Sequence, residues 1–535
     1  MKSELVKNAA ISTLIGATLV FGVITLAPGW GEEGTRREPG AAERALAAAG
    51  AGAPAALVDL TALIDDREQW VRAHPRDEES WAVLGSAYVE RGSRLAEAAY
   101  YRKAESALRR SLELLPGEKG NVAAVVGLAA LANARHDYAQ ARTLGESAMK
   151  QQPQRWTAYP ALIDAYSGLG DYKAMSKAMD KLTELHPGAQ TLSRAAGVYR
   201  ERGWREDAAA AAYDAVGSAQ APQEKAAARQ RLGDLAWEWG EPAEALKEYD
   251  TALHLAPDHD PSLASRARAL AALGRTDEAF RDYQAALARV ERPEYSLAAG
   301  ELYQSLGLDG DAATQYEQLR TKAARAGADR VVDDVVLGLF EADHGDPEAA
   351  VRRLKAEWAR GHLNVYTADA LGWALYRAGR PGEALPYAKR ASEQGLRGAL
   401  FTYHRGEIER ALKQDGPARR HLAEALRINP YFSPLLAPAA RQALEALGEP
   451  PPGGPKELTG LEGEASTEAD TATEAEVGPE TEVGPETEVG PETEVGTPSP
   501  TRTLSPPPTP TLSPTPQRSR AGAGASTSAS AGAVE

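Results

Sequence analysis

The stretch "LGDLAWEWGEPAEALKEYDTALHLAP", residues 232–257, is strongly helical in composition, yet small residues punctuate it at Gly233, Gly240, Ala245 and Ala252, and Pro257 closes it. The same punctuation returns along the chain. Aligned on Ala245, equivalent positions fall at Ala104, Ala141, Met175, Ala208, Ala279, Ala312, Ala350, Ala384 and Ala418, at intervals of 33 to 38 residues. Twelve residues earlier stands another mostly small position, as at Ala196, Gly233, Ala267, Gly300, Gly338, Gly372 and Gly406. Five residues before the alanine lies a glycine at Gly170, Gly203, Gly240, Gly274, Gly307, Gly345 and Gly379, and twelve after it a proline ends several stretches, as at Pro116, Pro153, Pro187 and Pro430.

Each position has a mechanical cause. Two antiparallel helices that cross closely need side chains no larger than Ala or Gly where their axes approach. The turn between them needs a residue that tolerates positive φ, and a proline stops the second helix. A fixed period of about 34 residues predicts stacked helical hairpins.

This pattern resembles the tetratricopeptide repeat family. The fullest match is "WAVLGSAY", where Trp81, Leu84, Gly85 and Tyr88 follow the family's opening pattern and Gly92, Ala104 and Pro116 complete the repeat around an insertion. Leu162, Tyr166 and Gly170, then Leu232, Gly233, Ala245 and Tyr249, then Leu371, Gly372, Gly379 and Ala384 match in part. His136 and Lys413 stand where a turn glycine belongs and Glu357 where an alanine is usual, so those repeats are expected to be distorted. The resemblance implies an all-α, right-handed superhelical solenoid of about ten repeats, with a concave groove that holds a peptide or partner protein.

The expected domain order has a membrane segment in 1–29, a flexible tether in 30–55, a capping helix in 56–75, the array in 76–432, a second capping helix in 433–449 and a tail in 450–535. Residues 9–27 form an uncharged run of 19 that nearly spans a bilayer core of about 30 Å. Read as an uncleaved single-pass anchor, with a cleaved signal as the alternative, and with Lys2 and Lys7 before it, the run places the bulk of the chain outside the cytoplasm. The tail, with its six-residue "EVGPET" period and Pro/Thr-rich end, is expected to be disordered. Residues 456–535 carry −10 of the net charge of −16. No strongly basic face is left to displace counterions from phosphate, so a nucleic-acid partner is not expected. The Ala, Arg and Gly content resembles that of high-GC, actinobacterial proteins. Cysteine is absent, which removes disulfides and thiol chemistry.

No grouping of residues argues for catalysis, a cofactor or a small-molecule substrate. His254, Asp258, His259 and Asp260 span a helix end and a turn without the i, i+4 spacing of a zinc pair. His404 with Arg405 lacks a third positioned group, and the pairs Glu32–Glu33 and Asp333–Asp334 diverge. Projection of the family's groove onto the first helices gives Asp164, Arg200, Asp234, Trp237, Arg268, Glu301, Gln304, Asp369, Trp373, Tyr376, Glu407 and Arg410. Both charges mix there with aromatics, which suits a partner protein or peptide with Arg and Trp as anchors, although Trp and Tyr on such helices also serve to pack neighbouring repeats. The expected role is a membrane-tethered, non-enzymatic scaffold, the alternative a subunit of a cell-envelope enzyme complex.

Overall fold

The computed structural model describes residues 38–448 apart from 329, 330, 332, 393, 394 and 397. Helices α1 (Ala41–Gly50) and α2 (Leu57–Ala73) precede the array. Repeats 1 to 3 pair α3 (Glu78–Leu95) with α4 (Ala99–Leu114), α5 (Val122–Ala134) with α6 (Tyr138–Gln151), and α7 (Ala158–Leu169) with α8 (Tyr172–Leu185). Repeats 4 to 6 pair α9 (Ala189–Arg202) with α10 (Arg205–Ser218), α11 (Pro222–Glu238) with α12 (Pro242–Leu255), and α13 (Asp260–Ala272) with α14 (Thr276–Arg289). Repeats 7 to 10 pair α15 (Pro293–Ser305) with α16 (Asp309–Ala328), α17 (Asp334–His344) with α18 (Pro347–Ala359), α19 (Val365–Arg377) with α20 (Pro381–Ala391), and α21 (Ala399–Ala411) with α22 (Asp415–Ile428). Helix α23 (Leu436–Ala446) ends the described chain.

The small positions sit where the two helices of a repeat cross. A Cβ on Gly233 would stand 2.4 Å from the Tyr249 ring, one on Gly300 2.4 Å from Tyr316, and one on Gly338 2.6 Å from Leu354. The aligned alanines, from Ala104 to Ala418, are buried to the last few per cent.

Nine of the ten turns close in one way. The N–H of the residue after the turn position donates to the carbonyl five residues back, as Asp171 does to Tyr166 (2.8 Å) and Leu308 to Tyr303 (3.0 Å). The turn residue is left-handed in each, with φ of 59° at His136 and 60° at Lys413. The backbone bond therefore holds the turn where glycine is missing, and the distortion expected in repeats 2 and 10 does not occur there. In repeat 8 Gly345 has φ −142°, so that turn is the exception.

Two expectations need correction, and the unusual Glu357 finds local partners. Residues 41–50, read as part of a tether, form α1, whose Ala45 and Ala49 are fully buried; Glu43 caps it by accepting from the Gly40 N–H at 2.8 Å. In repeat 1 Gly92 is helical and packs on Tyr101, and Ala96 with φ 53° makes the turn. Glu357, at an alanine position, is buried and bonds Arg360 and His362. The segment 9–27 and the tail beyond 448 lie outside the described residues, and among the described residues no helix is long and apolar enough to cross a membrane.

The first helices of successive repeats pack on one another, as α3 on α5 and α17 on α19, while successive second helices make no comparable packing. First helices therefore form the inner side of the curve. The two edges of the curve also meet, the turn of each of repeats 1 to 5 facing the loop that follows the repeat five further on. Arg292, after repeat 6, donates to the carbonyls of Ser93 (3.4 Å) and Arg94 (3.0 Å) at the end of α3. Val331, after repeat 7, packs against the core of repeats 1 and 2. Asn364, after repeat 8, donates to the Gly168 carbonyl at 2.8 Å, and the Val365 N–H donates to the Tyr172 hydroxyl at 3.0 Å. Gly395, after repeat 9, lies against the Arg202 carbonyl, and Asn429, after repeat 10, donates to the Trp237 carbonyl at 2.8 Å. This seam is apolar as well as hydrogen-bonded, since Val365, Ala368, Leu396 and Phe401 share one core with Tyr172, Met175 and Ala208.

Candidate functional site

The candidate site is the inner face. Side chains one repeat apart there come within hydrogen-bond reach, because parallel first helices present equivalent positions to each other. Most of the twelve projected residues use that reach on a neighbouring repeat. Asp164 on α7 pairs with Arg194 on α9. Arg200 on α9 bonds Glu238 on α11 and, across the seam, the Tyr366 hydroxyl at 3.2 Å. Asp234 accepts from Tyr249 (2.9 Å) and from Ser265 on α13 (3.2 Å), with the Arg268 guanidinium 3.7 Å away. Glu301 meets His344 at 3.5 Å, and Gln304 accepts from Tyr316 at 2.8 Å. Asp369 meets His404 Nδ1 at 2.9 Å. Glu407 accepts from Tyr376 (3.1 Å) and from Arg410 (2.6 Å).

The aromatic anchors are placed otherwise than the projection had them. Trp373 is 1 % exposed, donates its Nε1–H to Asp343 at 3.0 Å and stacks on His404 with ring centroids 4.0 Å apart. Trp237 is 2 % exposed beneath the Arg268 guanidinium, which lies 4.6 Å from its ring centre. Asp369 and Glu407 are buried as well. Partly exposed on this face are Asp164, Arg200, Asp234, Arg268, Glu301, Tyr376 and Arg410, and Gln304 is exposed.

Burial shapes the charges. It pushes the Arg200 guanidinium down, and Glu238, Tyr366 and Glu201 together more than offset it. Burial raises the carboxyl groups of Asp164 and Glu201 against the pull of Arg194 and of the Ser167 hydroxyl. Arg231 on α11 differs. It is partly exposed, its buried Nε meets no acceptor, and among the described residues it forms no ion pair. Burial holds it below the ordinary arginine range; the Asp234 and Glu238 carboxylates pull the other way without offsetting it, and Arg200 and Arg194 nearby add to the lowering. Arg231 and Arg194 each lie nine residues before the turn glycine, farther from it than any projected residue except Asp369, which lies ten before Gly379. A period-3.6 pattern of charge on α9 and α11 would have found both.

Among the described residues no group of three or more His, Cys, Asp or Glu could hold a metal ion. His259 bonds Ser262 at 2.7 Å, Asp333 caps α17 and Asp334 pairs with Arg353 and Arg360. Each of these candidates is engaged locally.

Paired helices, a shared turn and an inner face bonded from repeat to repeat define a helical-repeat fold of the kind that protein-interaction scaffolds use. Residues 226–259, α11 with α12, match the tetratricopeptide repeat family model, so the chain carries a tetratricopeptide repeat among hairpins built on the same turn. No curated protein matches the chain. Solved structures similar to it include the APC/C hetero-tetramer Cut9–Hcn1, at 15% identity over 73% of this chain and 83% of that one, with a TM-score of 0.39. Pseudomonas aeruginosa pilF is similar at 19% identity over 38% and 93%, with a TM-score of 0.32. The human IFIT1 dimer with PPP-AAAA is similar at 15% identity over 63% and 78%, with a TM-score of 0.39. None of the three bears on what this chain binds.

Proposed function

We propose that this chain is a non-enzymatic scaffold that holds a segment of a partner protein against its inner face, tethered to a membrane by residues 9–27 with the array outside the cytoplasm. Arg231 carries the reading. A guanidinium that burial destabilises, with no carboxylate paired to it, costs folding free energy, and such a cost is retained where an incoming group repays it. The ladder of bonded side chains around Arg231 fixes the wall on which a carboxylate or carbonyl of the partner would lie, and Arg268, Gln304, Tyr376 and Arg410 offer further polar contacts along that wall.

The test is made on the full-length protein captured with its partner from native membranes. Arg231→Leu should weaken partner binding by about 2 kcal/mol or more, as expected of an interface arginine. Its urea midpoint should hold or rise, by about 0.5–2 kcal/mol of stability. Lys247→Ala and Arg281→Ala, on exposed faces of second helices, should change neither. A variant that binds as well as the parent would remove Arg231 from the site, and equal losses from the two controls would move the binding surface off the inner face.

A further inference from the structure

The seam described above uses the turn edge of repeats 1 to 5, and the same edge continues uncovered through repeats 6 and 7. Backbone of the later loops lies 2.6 Å from where a Cβ on Gly170 would stand and 2.9 Å from one on Gly240, whereas nothing lies within 4 Å of such positions on Gly274 and Gly307. The turns themselves are alike. Arg275 donates to Leu270 and Leu308 to Tyr303 just as Asp171 donates to Tyr166, so the carbonyls of Ala272 and Ser305 stand where those of Gly168 and Arg94 stand at the seam. The latter two accept from Asn364 and Arg292. Among the described residues neither Ala272 nor Ser305 receives such a bond. Leu169, one residue before its turn glycine, reaches Gly361 across the seam, while its equivalents Leu273 and Leu306 are 38% and 49% exposed, with Leu308 beside them at 42%.

We infer that the turn edge of repeats 6 and 7 docks an extended, cationic segment of a partner protein, with Arg beside Pro as its core. The occupant's chemistry follows from the seam, where extended Arg292 (φ −78°, ψ 135°) followed by Pro293 places its guanidinium on the last carbonyls of a first helix. Charge agrees with it. The C-terminal ends of α13 and α15 carry partial negative charge, and exposed Asp309 and Asp311 next to Leu308 form no ion pair among the described residues. Two exposed leucines would cover the proline ring and the aliphatic stem of the arginine. A second copy stacked head to tail would have to offer the loop edge of its own first repeats, and there Trp156 and His186 are already covered by the α1–α2 loop: a Cβ on Gly52 would lie 3.0 Å from the Trp156 ring, and the Ala51 carbonyl meets His186 at 3.1 Å. This surface is separate from the inner face and does not depend on Arg231.

The probe is a fluorescein-labelled peptide of alternating Ala-Arg-Pro triplets, titrated with the full-length protein and followed by anisotropy, beside the same peptide with Glu for Arg. The Arg peptide should bind saturably and the Glu peptide should not. The double variant Leu306→Lys with Leu308→Lys should weaken the Arg peptide tenfold or more, with unchanged helicity and melting because both side chains are exposed. Residual binding that is the same in parent and variant belongs to the acidic tail and overturns the assignment, as does equal binding of the two peptides. Sedimentation showing a dimer of the parent that the double variant abolishes, without peptide binding, would give the edge to a second copy instead.

Discussion

Trp373→Ala is expected to lower the unfolding free energy of repeats 8 to 10 by about 3–5 kcal/mol, the range for removing a buried tryptophan. The indole fills the space between α17, α19 and α21, where it stacks on His404 and lies 5.0 Å from the Tyr376 ring. Its loss leaves Asp343 with Arg377 alone from that set and uncovers the buried Asp369–His404 pair. Because the seam ties repeats 8 to 10 to repeats 3 to 5, the urea transition of the array should shift as a whole. Partner binding should fall only in step with that unfolding. A variant that melts like the parent yet loses partner would restore Trp373 to the ligand-facing role that projection from the sequence gave it.

Glu90 should make the protein more stable in mild acid, the opposite of the usual carboxylate. It is 2% exposed on α3, where one carboxylate oxygen accepts from the Ala55 N–H at 3.2 Å and faces Arg94 at 3.5 Å, while the other meets no partner. Burial pushes its pKa from the ordinary 4.5 up to about 7, against the pull of Arg94 and the Ala55 N–H. Because the folded pKa lies above the unfolded one, the native state keeps a proton that the unfolded chain has lost between those values. The stabilisation is complete below about pH 4.5 and is lost as pH rises through 7, at about 1.4 kcal/mol per pH unit and about 3 kcal/mol in all. Glu90→Gln removes this term, so parent and variant should differ by a slope of that sign between pH 5 and 7, with the variant the more stable at pH 8. Parallel stability curves would show that Glu90 is ionised and solvated in the folded protein.

The repeat period, the crossing positions and most turns could be read from the sequence because each is set by residues within one hairpin. Gly233 must be small since Tyr249 lies 16 residues on, and that spacing is visible in any copy of the pattern. The seam was not legible. Asn364 looks like an ordinary cap of α19, and it is one, accepting from the Thr367 N–H at 2.9 Å; its second role, on Gly168, joins residues 196 apart that no local pattern connects. Helix α1 escaped because its ten residues lie outside the 34-residue period and between Gly and Pro, although Gly40 with Glu43 was a readable start. At the inner face the helical projection found the correct side of the helices but not which groups were spent on the next repeat. That depends on pairs such as Arg200 with Glu238, whose separation of 38 residues varies with each insertion.

The central claim is that the turns of repeats 1 to 5 are closed by the loops after repeats 6 to 10, and hydrogen exchange at the Val365 amide tests it most directly. Val365 is the first residue of α19, a position whose N–H has no acceptor within its own helix and exchanges fast in an open array. Here it is buried and donates to the Tyr172 hydroxyl 193 residues away. The closed array predicts slow exchange at Val365 in the parent and a marked loss of protection in Tyr172→Phe, with neighbouring α19 amides little changed. Exchange of the parent amide at the rate of an exposed helix terminus, unaltered by the substitution, would contradict the closure.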